Sequence, residues 1–429
     1  MPDSLLVRGG RVVDATGERT ADVRVEDGVV TAVGSGLDAD RTLDAGGCVV
    51  APGLVDLHTH LREPGHEEAE TIETGARAAA LGGYTAVVAM PNTDPPLDDP
   101  AVVAAVLAAG AKSVCDVHAA GCITKGRAGT TLAPMGELYA LGVRLFTDDG
   151  ACVESAGTMR RALEYAQSLP GAVLGQHAED PSLCAGGHMH EGEWSSRLGI
   201  TGRPAVAEAS VVARDCLLVA LTGTPLHVLH VSTAAAIEVL RDAKQRGLPV
   251  TAEVAPHHFT LTDAACASFD PAFKVHPPLR SADDVEAVKR ALADGTIDAI
   301  ATDHAPHAQE TKERSFEEAP PGMLGLETAL ALTLTELVAP GVLSLADALA
   351  LLSWRPAGVL GLTAHGGPVV PGRPAHLAVI DPDATWTVDP ARLASRSRNT
   401  PYTGRTLTGR VRHTVLAGEP VVVDGEAQR

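Results

Sequence analysis

The chain has 429 residues, 45% apolar and 21% charged, the composition of a globular protein with room for one large domain and an appendage. Its formal net charge of −20 argues against nucleic acid or anionic membrane as a partner, and means that an anionic ligand would need local cations. No stretch approaches about eighteen uninterrupted apolar residues, and MPDSLLVRGG lacks a basic region leading into an apolar one, so neither a membrane span nor a signal peptide is expected and the cytoplasm is the expected compartment.

Residues 4–50 contain SLLVRGGRVVD, ADVRVEDGVVTAVG and GGCVVAPG, short β-type runs punctuated by Gly and Asp turns. From residue 54 to about 340 apolar runs alternate with Ala-, Leu- and Glu-rich helical ones. The strands are expected at 54–60, 85–91, 116–124, 143–149, 172–179, 226–232, 250–255 and 299–304. Helices are expected at 70–81, 101–111, 158–168, 207–221, 234–245 and 283–293. Eight strands separated by helices predict an α/β fold, a (β/α)8 TIM barrel rather than an open sheet. Residues 366–429 return to the β style in AHLAVID, ATWTV and VRHTVLAGEPVVVDG. Neither end could bury much alone, so the expected division is a barrel over 52–364 and one small β-sandwich built from 1–51 and 365–429. Seven cysteines, at 48, 115, 122, 152, 184, 216 and 266, form no CxxC pair and predict reduced thiols, mostly core fillers.

Enzymes built on this barrel place their chemistry at the C-terminal ends of the strands. Strand one ends in His58 and His60, which alternation puts on one face about 7 Å apart, a spacing that suits one metal ion. Strand four ends in Asp148 and Asp149, strand five carries His177, strand six His230, and strand eight Asp303, His304 and His307. Each alone could be a buried histidine or a helix-capping aspartate. Their recurrence at one end of five strands predicts a metal site. Four histidines and two carboxylates exceed what one tetrahedral ion with an open position uses; they fit two ions sharing a carboxylate and a hydroxide, and N/O ligands suit zinc. A second HxH, His188 and His190, sits in a Gly-flanked polar loop and is not expected to ligate, nor are His257 and His258 after strand seven.

With these residues placed, the sequence resembles the dihydroorotases of the amidohydrolase superfamily, of the bacterial type I kind, over essentially its whole length. DLHTHLREPG and ATDHAPHAQETK match the two signatures of that family, and AMPNTDP, FTDDG, QHAED, LHVST and GLETAL match in order. The resemblance implies one zinc on His58, His60 and Asp303, a second on His177 and His230, and Asp149 as the bridge. Related hydantoinases, dihydropyrimidinases and allantoinases usually carry a carboxylated lysine at strand four, where VRLFTDDG has none. It further implies Asp303 as proton carrier, Arg62, Asn92 and His307 as holders of a substrate carboxylate, and residues 308–323 as a mobile lid. Arg62, two residues beyond His60, should share its face, and its planar fork suits bidentate capture of a carboxylate.

The chain departs from the family in two places. VHPPLR puts His276 where the family usually has an asparagine that contacts the ring. In the lid, Pro321 stands before the glycine and has no N–H to donate, which leaves Gly322 as the one donor of that pair. The implied activity is reversible zinc-dependent cyclisation of N-carbamoyl-L-aspartate to L-dihydroorotate in pyrimidine synthesis. Another cyclic amidase, or a non-catalytic assembly partner of a transcarbamoylase, are the alternatives. A homodimer is expected, and an aspartate transcarbamoylase is a candidate partner, though neither is written in the residues.

Overall fold

The computed structural model describes residues 4–429. The first five strands are β1 (Leu5–Asp14), β2 (Gly17–Glu26), β3 (Val29–Gly34), β4 (Arg41–Asp44) and β5 (Val49–Pro52). A single glycine separates β5 from the barrel strands β6 (Leu54–Thr59), β7 (Tyr84–Ala89), β8 (Asp116–Ala119), β9 (Leu145–Thr147) and β10 (Val173–Gln176). Two short strands, β11 (Met189–His190) and β12 (Gly202–Arg203), pair with each other outside the barrel. The barrel then continues with β13 (Leu226–Val228), β14 (Val250–Val254) and β15 (Ala299–Ile300). The chain ends in β16 (Leu377–Thr387), β17 (Thr406–Leu416), β18 (Glu419–Val423) and β19 (Glu426–Ala427).

All eight expected barrel strands are present and run parallel, in two hydrogen-bonded groups, β6-β7-β8 and β9-β10-β13-β14-β15. Gly121 bridges to Phe146 and Thr59 to His304, and these two parallel bridges close the ring. Helices cover the outside, so β6 and β7 are buried at every position, as parallel strands packed on both faces must be. The helices start where the sequence supplies caps. Thr71 accepts from Thr74 N before the helix Ile72–Leu81, Asp99 accepts from Ala101 N before Pro100–Gly110, and Thr233 accepts from Ala236 N before Ala234–Gln245. One apolar cluster, including Val55, Leu57, Val88, Leu145 and Ala299, fills the barrel and is plugged by Ala357 and Leu360.

Asp56 pairs with Val87 but Thr59 with Ala89, so three steps along β6 match two along β7. This extra residue is a bulge at the end of the strand that carries His58 and His60, a place where such irregularities re-aim side chains.

The two ends of the chain meet in one sheet, with β16 antiparallel to β5 and the order β19-β18-β17-β16-β5-β1-β2-β3; β4 pairs with β1 off this path. Residues from both termini, among them Val7, Val23, Val50, Leu377 and Val415, share one apolar core. This is the β-sandwich beside the barrel, and its backbone is a single curled, bulged sheet. Among the described residues, no helix is long and apolar enough to cross a membrane. All seven cysteines are free, and all but Cys152 are buried.

Candidate active site

At the C-terminal end of the barrel a cavity of about 480 Å³ opens, bordered by His60, Asp149, His177, His230 and Asp303, with His58 fully buried beneath. Asp149, two residues past β9, lies at the centre. Its Oδ2 faces His58 Nε2 at 3.3 Å and His60 Nε2 at 3.5 Å; its Oδ1 faces His177 Nδ1 and His230 Nε2, each at 3.4 Å. Asp303 Oδ1 lies 3.2 Å from His60 Nε2 and 3.6 Å from His58 Nε2. His230 and Asp303 hold left-handed backbone angles, φ 32° and 46°, a strained state that recurs at functional sites.

In three of these rings the outer nitrogen fixes which way the inner one points, while the outer Nδ1 of His230 has no partner. His58 Nδ1 donates to Glu253 Oε1 at 2.7 Å, His60 Nδ1 to Asn92 Oδ1 at 2.8 Å, and His177 Nε2 to Glu179 Oε2 at 3.2 Å. With the outer nitrogens of His58, His60 and His177 carrying their protons, the inner nitrogens of these three turn lone pairs onto a carboxylate oxygen or another ring. His177 Nδ1 stands only 2.9 Å from His230 Nε2. Buried His58 Nε2 and Asp149 Oδ1 have no hydrogen-bond partner. Lone pairs converging on oxygens at these distances call for cations, and the donors sort into two groups, His58–His60–Asp149 and Asp149–His177–His230. Burial pushes the Asp149 carboxyl up, but the neighbouring imidazoles, His58 first, outweigh it and hold it well below the carboxylate range.

On the substrate side, the cavity is bordered by Arg62, Asn92, His276, His307, Pro321 and Gly322. Arg62 arrives there by a different route from strand alternation. β6 stops at Thr59 and Arg62 adopts φ 64°, its Nε donating to the Pro306 carbonyl at 3.0 Å. Burial lowers its pKa to about 10, still a full charge at neutral pH. Asn92 has given its oxygen to His60, which leaves only its NH2 for a ligand. His307 Nε2 contacts the Pro321 carbonyl at 2.8 Å, and burial with the nearby Arg62 charge keeps the ring neutral. The expected Gly322 donor is already committed, because its N–H bonds the Lys274 carbonyl at 2.8 Å. His276 is half-buried, and its Nε2, itself out of solvent, has no partner.

The segment expected as a lid is folded down and pinned. Lys312 Nζ donates to the carbonyls of Pro320 and Gly322, Lys274 Nζ to that of Glu317, and Asn399 Nδ2 to that of Gly322.

Other polar residues fall outside the site. His188 and His190 contact Lys274 and Arg280, and His304 turns away to Glu70. His257 Nε2 stops 3.9 Å from Asp303 Oδ2, while His258 contacts the Pro277 carbonyl. Asp148 is structural, accepting from Ile123 N and Thr124 N at 2.9 Å. A third His/Asp group, Asp116, His365 and His376, lies at the start of β8, away from the cavity, with both nitrogens of His365 already engaged. Sequence reasoning missed Glu253 and Glu179. A carboxylate inside the apolar run VTAEV, opposite two histidines in LHVLH, was the available signal for the first.

A parallel barrel with two histidine groups about one aspartate defines the metal-dependent hydrolase class. The family model described as dihydro-orotase-like matches residues 47–236, and the one described as amidohydrolase family matches 262–422. The dihydroorotase of Pelotomaculum thermopropionicum is 51% identical over 98% of this chain and 99% of its own, and that of Mycobacterium tuberculosis 50% identical over 99% of each. The solved L-hydantoinase (dihydropyrimidinase) of Arthrobacter aurescens superposes with a TM-score of 0.89 at 28% identity, covering 100% of this chain and 98% of that one. The chain belongs to the dihydroorotase family, within the metal-dependent amidohydrolases that open cyclic amides.

Proposed function

We propose that the protein interconverts L-dihydroorotate and N-carbamoyl-L-aspartate in pyrimidine synthesis, in the cytoplasm, using two zinc ions. The observation that carries the metal half of this reading is Asp149, one oxygen turned to His58 and His60 and the other to His177 and His230. In the reading, Asp303 completes the first group. Bound there, zinc would lower the pKa of water and polarise the ring carbonyl. Arg62, whose outer fork faces the cavity, would hold the carboxylate that the reaction leaves untouched, with the Asn92 NH2 beside it.

In the hydrolytic direction, the oxygen of water joins the ring carbonyl carbon and the carbon–nitrogen bond breaks. Asp303 accepts the proton of the attacking water and passes it to the departing nitrogen, which becomes the carbamoyl NH2. Cyclisation reverses these steps and consumes a proton, since a carboxylate becomes a neutral amide, so falling pH favours the ring. His276, Pro321 and Gly322 would bound the ring: His276 through its side chain, the other two by shape, because the Gly322 N–H is occupied. A homodimer and an association with aspartate transcarbamoylase belong to the same reading and are decided by solution mass, alone and with the partner.

The test is elemental analysis of the purified chain together with a dihydroorotate hydrolysis assay. Close to two zinc equivalents and turnover of dihydroorotate are expected. One firmly held ion in fully active protein would end the two-metal reading, and preference for a ring without a carboxylate would end the substrate assignment.

A further inference from the structure

Arg127 borders the same cavity as Arg62, yet none of the family motifs includes it. It sits in the turn Lys125–Arg127, after β8, and holds φ 55°. That turn is firmly built. Asp148 takes the backbone N–H groups of Ile123 and Thr124 and the Thr124 hydroxyl, Thr124 Oγ1 accepts from Gly129 N at 2.9 Å, and Asp98 accepts from Gly126 N at 2.6 Å. The aspartate beside the central Asp149 thus fixes the loop that presents Arg127.

The side chain feels the Asp148 carboxylate but makes no direct ion pair with it. Its one hydrogen bond is from Nε to the Asp148 carbonyl at 3.4 Å, and among the described residues it joins no ion pair. The Arg62 and Arg127 charges are near enough to oppose each other. Neither guanidinium makes a direct ion pair, although Arg62 lies in the field of the Asp303, Asp149 and Glu70 carboxylates, and two such cations on one cavity of a chain of net charge −20 suit an anion.

Gly150 locates that place. A side chain there would meet Arg127 Nη2 at 3.1 Å and Asn92 Nδ2 at 3.2 Å, so both donors border one point kept clear by a glycine at φ 78°. The Asn92 oxygen is spent on His60, so donors alone face this point. We propose that Arg127 is a second cation of the carboxylate clamp, acting with Arg62 and Asn92 on the carboxylate the reaction leaves intact. This rests on the substrate reading above. The clamp would then bind through charge and a fork on each side, and discriminate against rings lacking a carboxylate.

The test compares the metal-loaded wild type with Arg127→Met and Arg127→Lys, using L-dihydroorotate and N-carbamoyl-L-aspartate over a range of ionic strength. Arg127→Met should raise KM for both substrates about tenfold or more, the scale of a lost charge-assisted hydrogen bond, with kcat within about threefold and zinc content unchanged. Its KM should depend less steeply on salt, and Arg127→Lys should recover most of the loss. Unchanged KM in Arg127→Met overturns the proposal, as does a fall in kcat accompanied by lost zinc, which marks a purely structural loop residue. A wild type that fails to turn over dihydroorotate would instead overturn the functional reading itself.

Discussion

His58 and Glu253 share a 2.7 Å hydrogen bond below the floor of the cavity, and Glu253 gives its other oxygen to His227 at 3.0 Å. The carboxylate therefore sets the tautomer of His58 and keeps its Nε2 turned toward Asp149. Glu253→Gln keeps the shape and removes the charge. On the two-ion reading proposed above, we expect retention of the ion on His58 and His60 to weaken about 10- to 100-fold, while the ion on His177 and His230 stays. Zinc counted after dialysis against a graded chelator checks this; equal retention of both ions would free Glu253 from any metal role.

Asp303 lies within 3.6 Å of both His58 and His60 and is buried among them. Burial raises its pKa, but the imidazoles of His60 and His58 beside it outweigh that and hold it below the usual carboxylate range. Asparagine at this position could still face the rings and could not carry a proton. Asp303→Asn should lose on the order of 10²-fold or more in kcat in the steady-state assay. Near wild-type turnover would remove Asp303 from the proton path.

His276 occupies the place of a ring-contacting asparagine, and burial, partly offset by Glu179, lowers its pKa to about 3. It is therefore a neutral ring with one donor and one acceptor at working pH. His276→Ala should raise KM for dihydroorotate by roughly two- to tenfold, the scale of one neutral hydrogen bond, and His276→Asn should retain or improve kcat/KM. Unaltered kinetics in His276→Ala would mean that the imidazole leaves the ring alone.

Lys312 ties down the segment over the cavity, and burial, with Lys274 nearby, brings its pKa to about 7. Its value in the unfolded chain is about 10.4, so between these limits the unfolded state binds more protons than the folded one. Stability should rise with pH across that window, at up to about 1.4 kcal/mol per unit from this group, and the cost of its charge is present in full below pH 7. Denaturant unfolding from pH 7 to 10 should show this slope in the wild type and a shallower one in Lys312→Met. Parallel curves would place the titration elsewhere.

The order of elements was legible because each barrel strand is a short apolar run and each helix opens on a cap. The helix Ala234–Gln245 agrees with expectation at both ends, because Thr233 marks its start and the apolar period its body. The histidine-bearing strand ends were equally plain, since polar residues closing buried strands have few other uses. What escaped depended on partners distant in sequence. Glu253 looks like any residue of a strand until His58 is placed against it. Alternation put Arg62 on the His60 face, and it does border the same cavity, but through a left-handed turn past the end of β6 rather than along the strand. The donor role read for Gly322 depended on whether its N–H was free, and only the fold brings the Lys274 carbonyl to it.

The barrel closes where Thr59 pairs with His304, and His60 N there donates to the His304 carbonyl at 2.8 Å. His60 and Asp303 flank that seam, on segments more than two hundred residues apart in the chain. Contacts of such long range form late, because the loop between them must be ordered first. A chain emerging from the ribosome therefore carries its histidines through most of synthesis without the arrangement that would grip a metal. On the two-ion reading proposed above, no fragment ending before the eighth strand should hold the first ion, and ion capture and completion of the ring become one event.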